Sequence, residues 1–300
     1  MMSDAQKGHL FNLLSVFMIA LGPLFSKFGL LELTPAKAAL INALTILLAS
    51  FVFGLVTRKP VTIYFEKSIL LLSLFNSLGV IFLFLSINLL SPVEIGFIGR
   101  FYTVFAVLLS VFLLKEKLSK REMMFIIIAI AGVFLFVDKG GNYREQLPGT
   151  TFAVLYTFFF ALTNVFIKKT MSTSKSSNSI LFTNNSMTFL IIIVYSVLSG
   201  ELFEGGFQAN GIGFIILSSL FAGFGGTILL YEALKYLRFS IANVTRAFSP
   251  LLLAVISFPF FPIEITLQNT VGAIVLAASI FMLSMEDKQN NRDKKQPSSS

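Results

Sequence analysis

The sequence predicts an all-α membrane protein of ten transmembrane helices, built as two inverted five-helix repeats. Three observations carry that prediction. The composition is lipid-like: of 300 residues, 55% are hydrophobic and 13% charged, with mean hydropathy +0.84, outside the range of soluble domains. About ten stretches approach the ~20 apolar residues that a helix needs to cross the hydrocarbon core. The two halves of the chain also resemble each other.

Taken in order, the first stretch, 10–31, follows Lys7. It is too long for a signal-peptide core and no small-x-small site follows it, so it reads as an uncleaved helix. The stretch 35–56 runs up to Arg58 and Lys59, 68–90 begins after Lys67, and 93–114 ends at Lys115. The fifth, 122–138, follows Arg121. In the second half, 149–168 ends on Lys168 and Lys169, 179–199 follows Lys175, and 211–234 stops before Lys235. Stretches 239–261 and 266–284 complete the set, and the tail "MEDKQNNRDKKQPSSS" is too polar to fold. The division expected is a cytoplasmic N-terminus over 1–9, a first repeat over 10–138, an outer linker over 139–148, a second repeat over 149–285 and a disordered cytoplasmic tail over 286–300.

With the N-terminus in the cytoplasm, seventeen of the 23 lysines and arginines fall on the cytoplasmic side. Lys27, Lys37, Lys139 and Arg144 fall outside, and Arg100 and Arg246 lie within spans. This follows the positive-inside rule and predicts a multi-pass protein of the cell membrane with both termini cytoplasmic. The net charge of +8 is therefore a topology signal and needs no nucleic-acid partner. The absence of cysteine excludes disulfides and thiolate metal sites. The single histidine, His9, sits at the cytoplasmic edge, and no carboxylates pair at helical spacing within a span. Acid–base or metal chemistry has little to work with, so no enzyme, cofactor or metal is expected. The expected partners are a small-molecule substrate and the lipid bilayer, with a homodimer left open.

The repeat is read from "LSVFMIALGPLFSK" (14–27) against "LYTFFFALTNVFIK" (155–168), which match at Leu14/Leu155, Phe17/Phe158, Ala20/Ala161, Leu21/Leu162, Phe25/Phe166 and Lys27/Lys168, an offset of 141. Further on the offset is 146, from "SLF" at 73–75 and 219–221 to Gly79/Gly225 and Ile95/Ile241. The longer loop "GELFEGGFQANG" accounts for the change. Five spans per unit is an odd number, so the second copy enters the membrane upside down. Inverted repeats place a binding site near the midplane, between the halves.

At the second offset Arg100 falls on Arg246, and Thr103 on Ser249 three residues beyond. Positions i and i+3 share a helix face, and Asn243 joins the same stripe in the second half. Arginine at mid-bilayer costs about 2.5–3.5 kcal/mol even on insertion scales, and ionisable residues in spans face the bundle interior and mark pathways. Two guanidinium forks suit a carboxylate or phosphate. The structural alternative satisfies each arginine on Glu232, Glu94 or free carbonyls beside Pro250. Glu232 itself has two readings, a pair with Lys235 one turn on or a pair with Arg246 across the hairpin. Asn42, Asn76, Asn164, Asn184, Thr227 and Tyr231 are in-span polar groups that either bond between helices or line the cavity. The run "AGFGG" (222–226) reads as close packing or local unwinding, since a phosphate loop needs a Lys-Ser/Thr partner. Lys27 and Lys168, at span ends, are expected to snorkel.

At the fourth and ninth spans the pattern is an apolar helix broken by proline, then a glutamate leading amphipathically into the next span. The second half has "AFSPLLLAVISF" and then "PIEITLQNTVGAIVL", with Glu264 and Gly272. The first half keeps "LLKEKLSKREMM" with Glu116, but has Val104 in the place of Pro250, so its fourth helix is expected to be the straighter. From about residue 10 to about 285 the chain resembles EamA-type members of the drug/metabolite transporter superfamily. The resemblance implies a secondary transporter working by alternating access. Its relatives move amino acids, nucleotide-sugars, phosphorylated sugars, quaternary amines and drugs, which leaves the cargo open. Arg100, Arg246, Thr103, Ser249, Asn243, Glu232, Tyr231, Asn42, Asn164 and Asn184 are the candidate substrate-binding residues, and the arginines favour an anionic or zwitterionic cargo. The rival readings are an exporter of amino acids or cationic, amphipathic drugs with structural arginines, and a channel or scaffold.

Overall fold

The computed structural model describes residues 4–99, 101–115, 119–136, 143–171, 175–237, 249–261 and 266–282, apart from 269, 276 and 280. Among them every regular element is helical: α1 (Asp4–Leu30), α2 (Pro35–Val56), α3 (Lys67–Leu89), α4 (Pro92–Ile98), α5 (Phe101–Leu114), α6 (Lys120–Phe136), α7 (Tyr143–Met171) and α8 (Ser177–Leu198). They are followed by α9 (Ala209–Tyr236), α10 (Ser249–Ser257) and α11 (Thr270–Ser279). Six helices, α1, α2, α3, α7, α8 and α9, are long and apolar enough to span a bilayer. Their outward faces carry many exposed large apolar side chains, Leu198 at 81% among them, and so does the shorter α5, with Phe112 at 77%. Water would penalise that exposure, whereas lipid tails do not.

Several boundaries depart from the sequence reading. Helix α1 already starts at Asp4, inside the expected N-terminal segment, and α7 starts at Tyr143, inside the expected linker. The fourth span is described as two helices, with a turn at Gly99 after the first. Its helix stops at Ile98 and resumes at Phe101, with the Gly99 amide donating back to Ile95 O at 2.8 Å. No proline is needed there, because a glycine next to the break already lowers the cost of leaving helical geometry. The proposed ninth-span start, 239–248, and the motif residues Glu116 and Glu264 lie outside the described residues.

The packing exchanges elements between the two halves. Helix α1 lies antiparallel on α9, and α3 lies antiparallel on α7. Along α1, residues 8, 15, 22 and 29 recur every seven residues and are Gly, Ser, Gly and Gly. A Cβ on Gly8 would meet Leu237 at 2.9 Å, on Gly22 would meet Ala222 Cβ at 2.7 Å, and on Gly29 would meet Ile215 at 2.5 Å. Ser15 Oγ donates to Gly226 O at 2.6 Å, and Ser218 Oγ donates to Gly22 O at 3.0 Å. This small-residue seam brings two backbones together, as helices in lipid require. On the other side Gly79 packs under Phe160, while Phe82 stacks on Phe152 and Phe159 with centroids 5.9 and 5.8 Å apart.

Helices α2 and α8 form the third inter-half seam and also run antiparallel. The loop after α8 covers the start of α2: Glu201 Oε2 accepts from Ala36 N at 2.8 Å. The nearly fully buried Lys37 donates to Glu204 O, to Gly205 O at 2.9 Å and to Gly206 O at 3.2 Å. Gly200 and Gly205 make that loop possible, with φ of +77° and +60°. Reciprocally, the loop after α2 covers the start of α8, where Thr62 N donates to Ser179 Oγ at 3.1 Å and Lys175 pairs with Glu66.

Between Ser219 and Gly226, α9 widens into a π-helix. The "AGFGG" run thus combines local unwinding with close packing. A Cβ on Gly226 would meet Ile19 at 2.5 Å, as one on Gly79 would meet Phe160, and positions 19 and 160 are repeat-related. Sequence comparison pairs Gly79 with Gly225. The one-residue difference is what a π insertion introduces.

The α1–α9 seam generates a stability prediction. Gly22→Ala puts a methyl against the Ala222 Cβ, which no rotamer change can move, and overpacking of this kind costs about 1–3 kcal/mol. Gly213, with nothing within 4 Å of its Cβ position, tolerates alanine. Far-UV circular dichroism melts in detergent, suited to a chain without tryptophan, should show a lowered Tm for Gly22→Ala alone. Equal melting temperatures would refute the seam.

Candidate functional site

The exchanged packing leaves a cavity of about 290 Å³ between the α1–α9 and α3–α7 pairs. Its described lining comes from α1, α2, α3, α4, α5, α7, α8, α9 and α10, and so from both halves. No described residue of α6 or α11 lines it. Apolar walls come from residues such as Val80, Phe84, Phe160 and Leu230, and polar groups converge between them.

Five carboxamides line the cavity. Asn42 Nδ2 donates to Ser219 Oγ at 2.8 Å, joining α2 to α9. Asn76 Nδ2 donates to Thr188 Oγ1 at 3.0 Å, joining α3 to α8. Both bonds thus join a helix of one half to a helix of the other. Asn164 Nδ2 donates to Phe160 O at 2.8 Å and Asn185 Nδ2 to Leu181 O at 3.0 Å, each within its own helix. Asn184 is different: it is 2% exposed, and its Oδ1 has no hydrogen-bond partner among the described residues. A buried carbonyl oxygen left unpaired costs about 1–3 kcal/mol, which a donor on a bound molecule would recover.

Backbone features add to this lining. Asn164 is the repeat counterpart of Pro23 in α1. Proline has no N–H, so the helical bond to Ile19 O is missing, while on the other side Asn164 adds a donor to the equivalent Phe160 O. Both Ile19 and Phe160 line the cavity. Tyr156 Oη donates to Ile95 O at 3.2 Å and fixes α4 against α7.

Of the sequence candidates, Asn42, Asn164, Asn184, Tyr231 and Ser249 are brought together in the lining. Thr103 lies on α5, with its side chain outside the described residues, and Arg100, Asn243 and Arg246 are also outside them. Glu232 is not brought to the cavity. It accepts from Lys235 Nζ at 2.7 Å, one turn on, which is the local of its two readings. Lys27 and Lys168 do not simply snorkel: each ammonium donates to two backbone carbonyls at a helix end. Tyr102, Tyr156, Thr163, Asn185 and Ser218 line the cavity without having been singled out. For Asn185 the signal was present, as the second amide of "TNNS" in an apolar span.

A helical bundle with six long apolar spans, enclosing a cavity with in-span amides, defines a multi-pass membrane protein with an internal binding-type chamber. The chain belongs to the EamA-like transporter family, matching it over residues 6–138 and again over 147–285. It is similar to an "Uncharacterized transporter in sor 3'region" of Acidianus ambivalens, 28% identical over 155 residues, or 46% of this chain. The match spans 61% of that relative's length. Its fold is similar to that of a solved chain described as "Crystal structure of protein", with TM-score 0.69 at 13% identity, over 93% of this chain and 98% of the other.

The amides separate by role. Asn76→Ala removes an interhelical bond and should lower stability by about 0.6–1.7 kcal/mol. Asn184→Ala removes no internal bond and should leave the melting temperature unchanged while raising the cargo concentration needed for half-maximal transport. Equal destabilisation by the two substitutions would show that Asn184 is a packing residue.

Proposed function

We propose that the protein is a secondary, non-ATP transporter that carries a small polar metabolite, anionic or zwitterionic, by alternating access. Its ten spans would form two inverted five-helix repeats over 10–138 and 149–285, in the cell membrane with both termini cytoplasmic. The observation that carries this reading is one cavity lined by the first four spans of both halves. A site between inverted repeats can be opened to either side by moving one body against the other. The volume of about 290 Å³ lies at the lower end of small-molecule pockets, roughly 300–1,000 Å³, and suits a compact cargo.

Recognition would be shared between carboxamides and arginines. A carboxamide accepts a cargo N–H through its oxygen and donates to a carboxylate through its nitrogen, so the Asn42, Asn76, Asn164 and Asn184 set handles both ends of a zwitterion. Gly99 and Tyr102, on either side of Arg100, line the cavity, and so does Ser249, three residues beyond Arg246. Arg100 and Arg246 would face the cargo carboxylate or phosphate from opposite walls, with Thr103, Asn243 and Tyr231 completing the contacts. Glu232, held by Lys235, supplies no proton site on this path, which favours facilitated diffusion or exchange.

Counterflow into proteoliposomes, screened over organic anions, amino acids and cationic amines, tests the reading. Arg100→Gln and Arg246→Gln should each abolish counterflow in protein that still inserts, and lysine should rescue poorly because it cannot bind bidentately. Wild-type transport by the double Gln variant would overturn the arginine assignment. A flux that never saturates would overturn the carrier.

A further inference from the structure

Lys27 and Lys168 are repeat-related lysines near the ends of α1 and α7. Lys27 Nζ donates to Ile87 O at 2.9 Å and Asn88 O at 3.0 Å, in the last turn of α3. Lys168 Nζ donates to Leu234 O at 2.9 Å and Leu237 O at 3.1 Å, at the end of α9. Carbonyls in a last helical turn have no following amide to bond, and the helix dipole favours a cation there. Counting the one-residue π insertion, Ile87 and Leu234 correspond, so the repeat relates both the lysine and one of its acceptors.

In the sequence each lysine joins the first and third helices of its own half. In the packing it does something else. Helix α1 is locked to α9 by the glycine seam, and α3 to α7 by Gly79 and the stacked phenylalanines. Lys27 therefore crosses from the α1–α9 pair to the α3–α7 pair at one end of the bundle, and Lys168 crosses back at the other. The cavity lies between them, walled by Ile19 and Gly223 on one side and by Val80 and Phe160 on the other.

We propose that the moving bodies of transport are these exchanged helix sets and not the two sequence halves, and that Lys27 and Lys168 are the clamps that close the cavity at its opposite ends. This rests on the alternating-access reading. One body is α1, α2 and α9, tied by Asn42–Ser219, and the other is α7, α8 and α3, tied by Asn76–Thr188. They meet along the α2–α8 seam, where the buried residues include Ala36, Ala39, Ala43, Ser179 and Ser196. Small side chains interlock little, so packed helices there can shear by small displacements. Opening at the Lys27 end strips that ammonium of two carbonyls while the Lys168 clamp holds, and the opposite opening reverses the roles. Two clamps of similar strength at opposite ends keep the two openings close in free energy, as a carrier that must visit both requires.

Distances between spin labels at both ends read the clamps directly, and the chain has no native cysteine to interfere. Labels at Leu31→Cys and Leu89→Cys report the Lys27 end, and labels at Lys169→Cys and Tyr236→Cys report the Lys168 end; all four positions are exposed. In lipid nanodiscs, Lys27→Met should raise the longer-distance population at its own end at least about tenfold, the factor that one charge-assisted hydrogen bond represents. The Lys168 end should keep its short distance. Lys168→Met should give the mirror image, and Lys→Arg at either site should restore the short distance. Where a Met variant is not monodisperse, Lys→Gln at the same site is measured instead. Lengthening of both ends together, lengthening of only the far end, or no change overturns the clamp assignment. Saturable counterflow by the unsubstituted chain alongside unmoved distances overturns the clamps alone, whereas non-saturating flux overturns the alternating-access reading beneath them.

Discussion

The close antiparallel contact of α1 with α9, repeated as α3 with α7, is the interaction on which the other features depend. Lipid tails are as apolar as leucine, so burying apolar side chains gives no drive for helices to associate within a bilayer. Dispersion at short range and interhelical hydrogen bonds must do it. The glycines of α1 and α9 supply the first by removing the atoms that would hold the backbones apart. The hydroxyls of Ser15, Ser26 and Ser218 supply the second, with Ser26 and Ser218 oxygens 2.8 Å apart. Because each contact joins one half to the other, neither half completes its own packing.

That exchange also creates the cavity. The cavity lies between the two exchanged pairs, and in-span amides line it. Asn42 and Asn76 each use one amide N–H on a hydroxyl of the opposite half, which tethers the second helices. The covering loops finish the arrangement. Each half closes over the start of the other half's second helix, with the buried Lys37 gripping three carbonyls on one side. The fifth spans, α6 and α11, stand outside, and among the described residues they add nothing to the lining.

Much of this was legible in the sequence because a bilayer imposes a length. The six long spans, the multi-pass class and the repeat followed from apolar run length and from matches at two offsets. Asn42, Asn164, Asn184 and Tyr231 were legible because a polar group inside an apolar run needs a reason. Other features were not legible, and the physical cause is specific in each case. The turn at Gly99 has no proline to announce it, and glycine in a membrane helix is ambiguous. The role of Lys27 depends on where α3 ends in space, which residue spacing within α1 does not contain. The heptad of Gly8, Ser15, Gly22 and Gly29 was present in the letters, but small residues signal close approach without naming the partner. The "AGFGG" run signalled local unwinding or close packing in α9, but not the one-residue π insertion that shifted the pairing of Gly79 by one position. Glu232 could be read two ways from the sequence, and the nearer cation, Lys235, holds it.

The central claim is that the two halves are completed only by each other, through exchanged third helices. Splitting the chain between residues 138 and 143 and producing the two pieces separately and together tests it most directly. The account predicts that neither piece alone yields a monodisperse, cooperatively melting species in detergent, while the co-produced pieces purify as one complex with the melting temperature of the intact chain. Two pieces that each run alone as monodisperse, cooperatively melting monomers would contradict it.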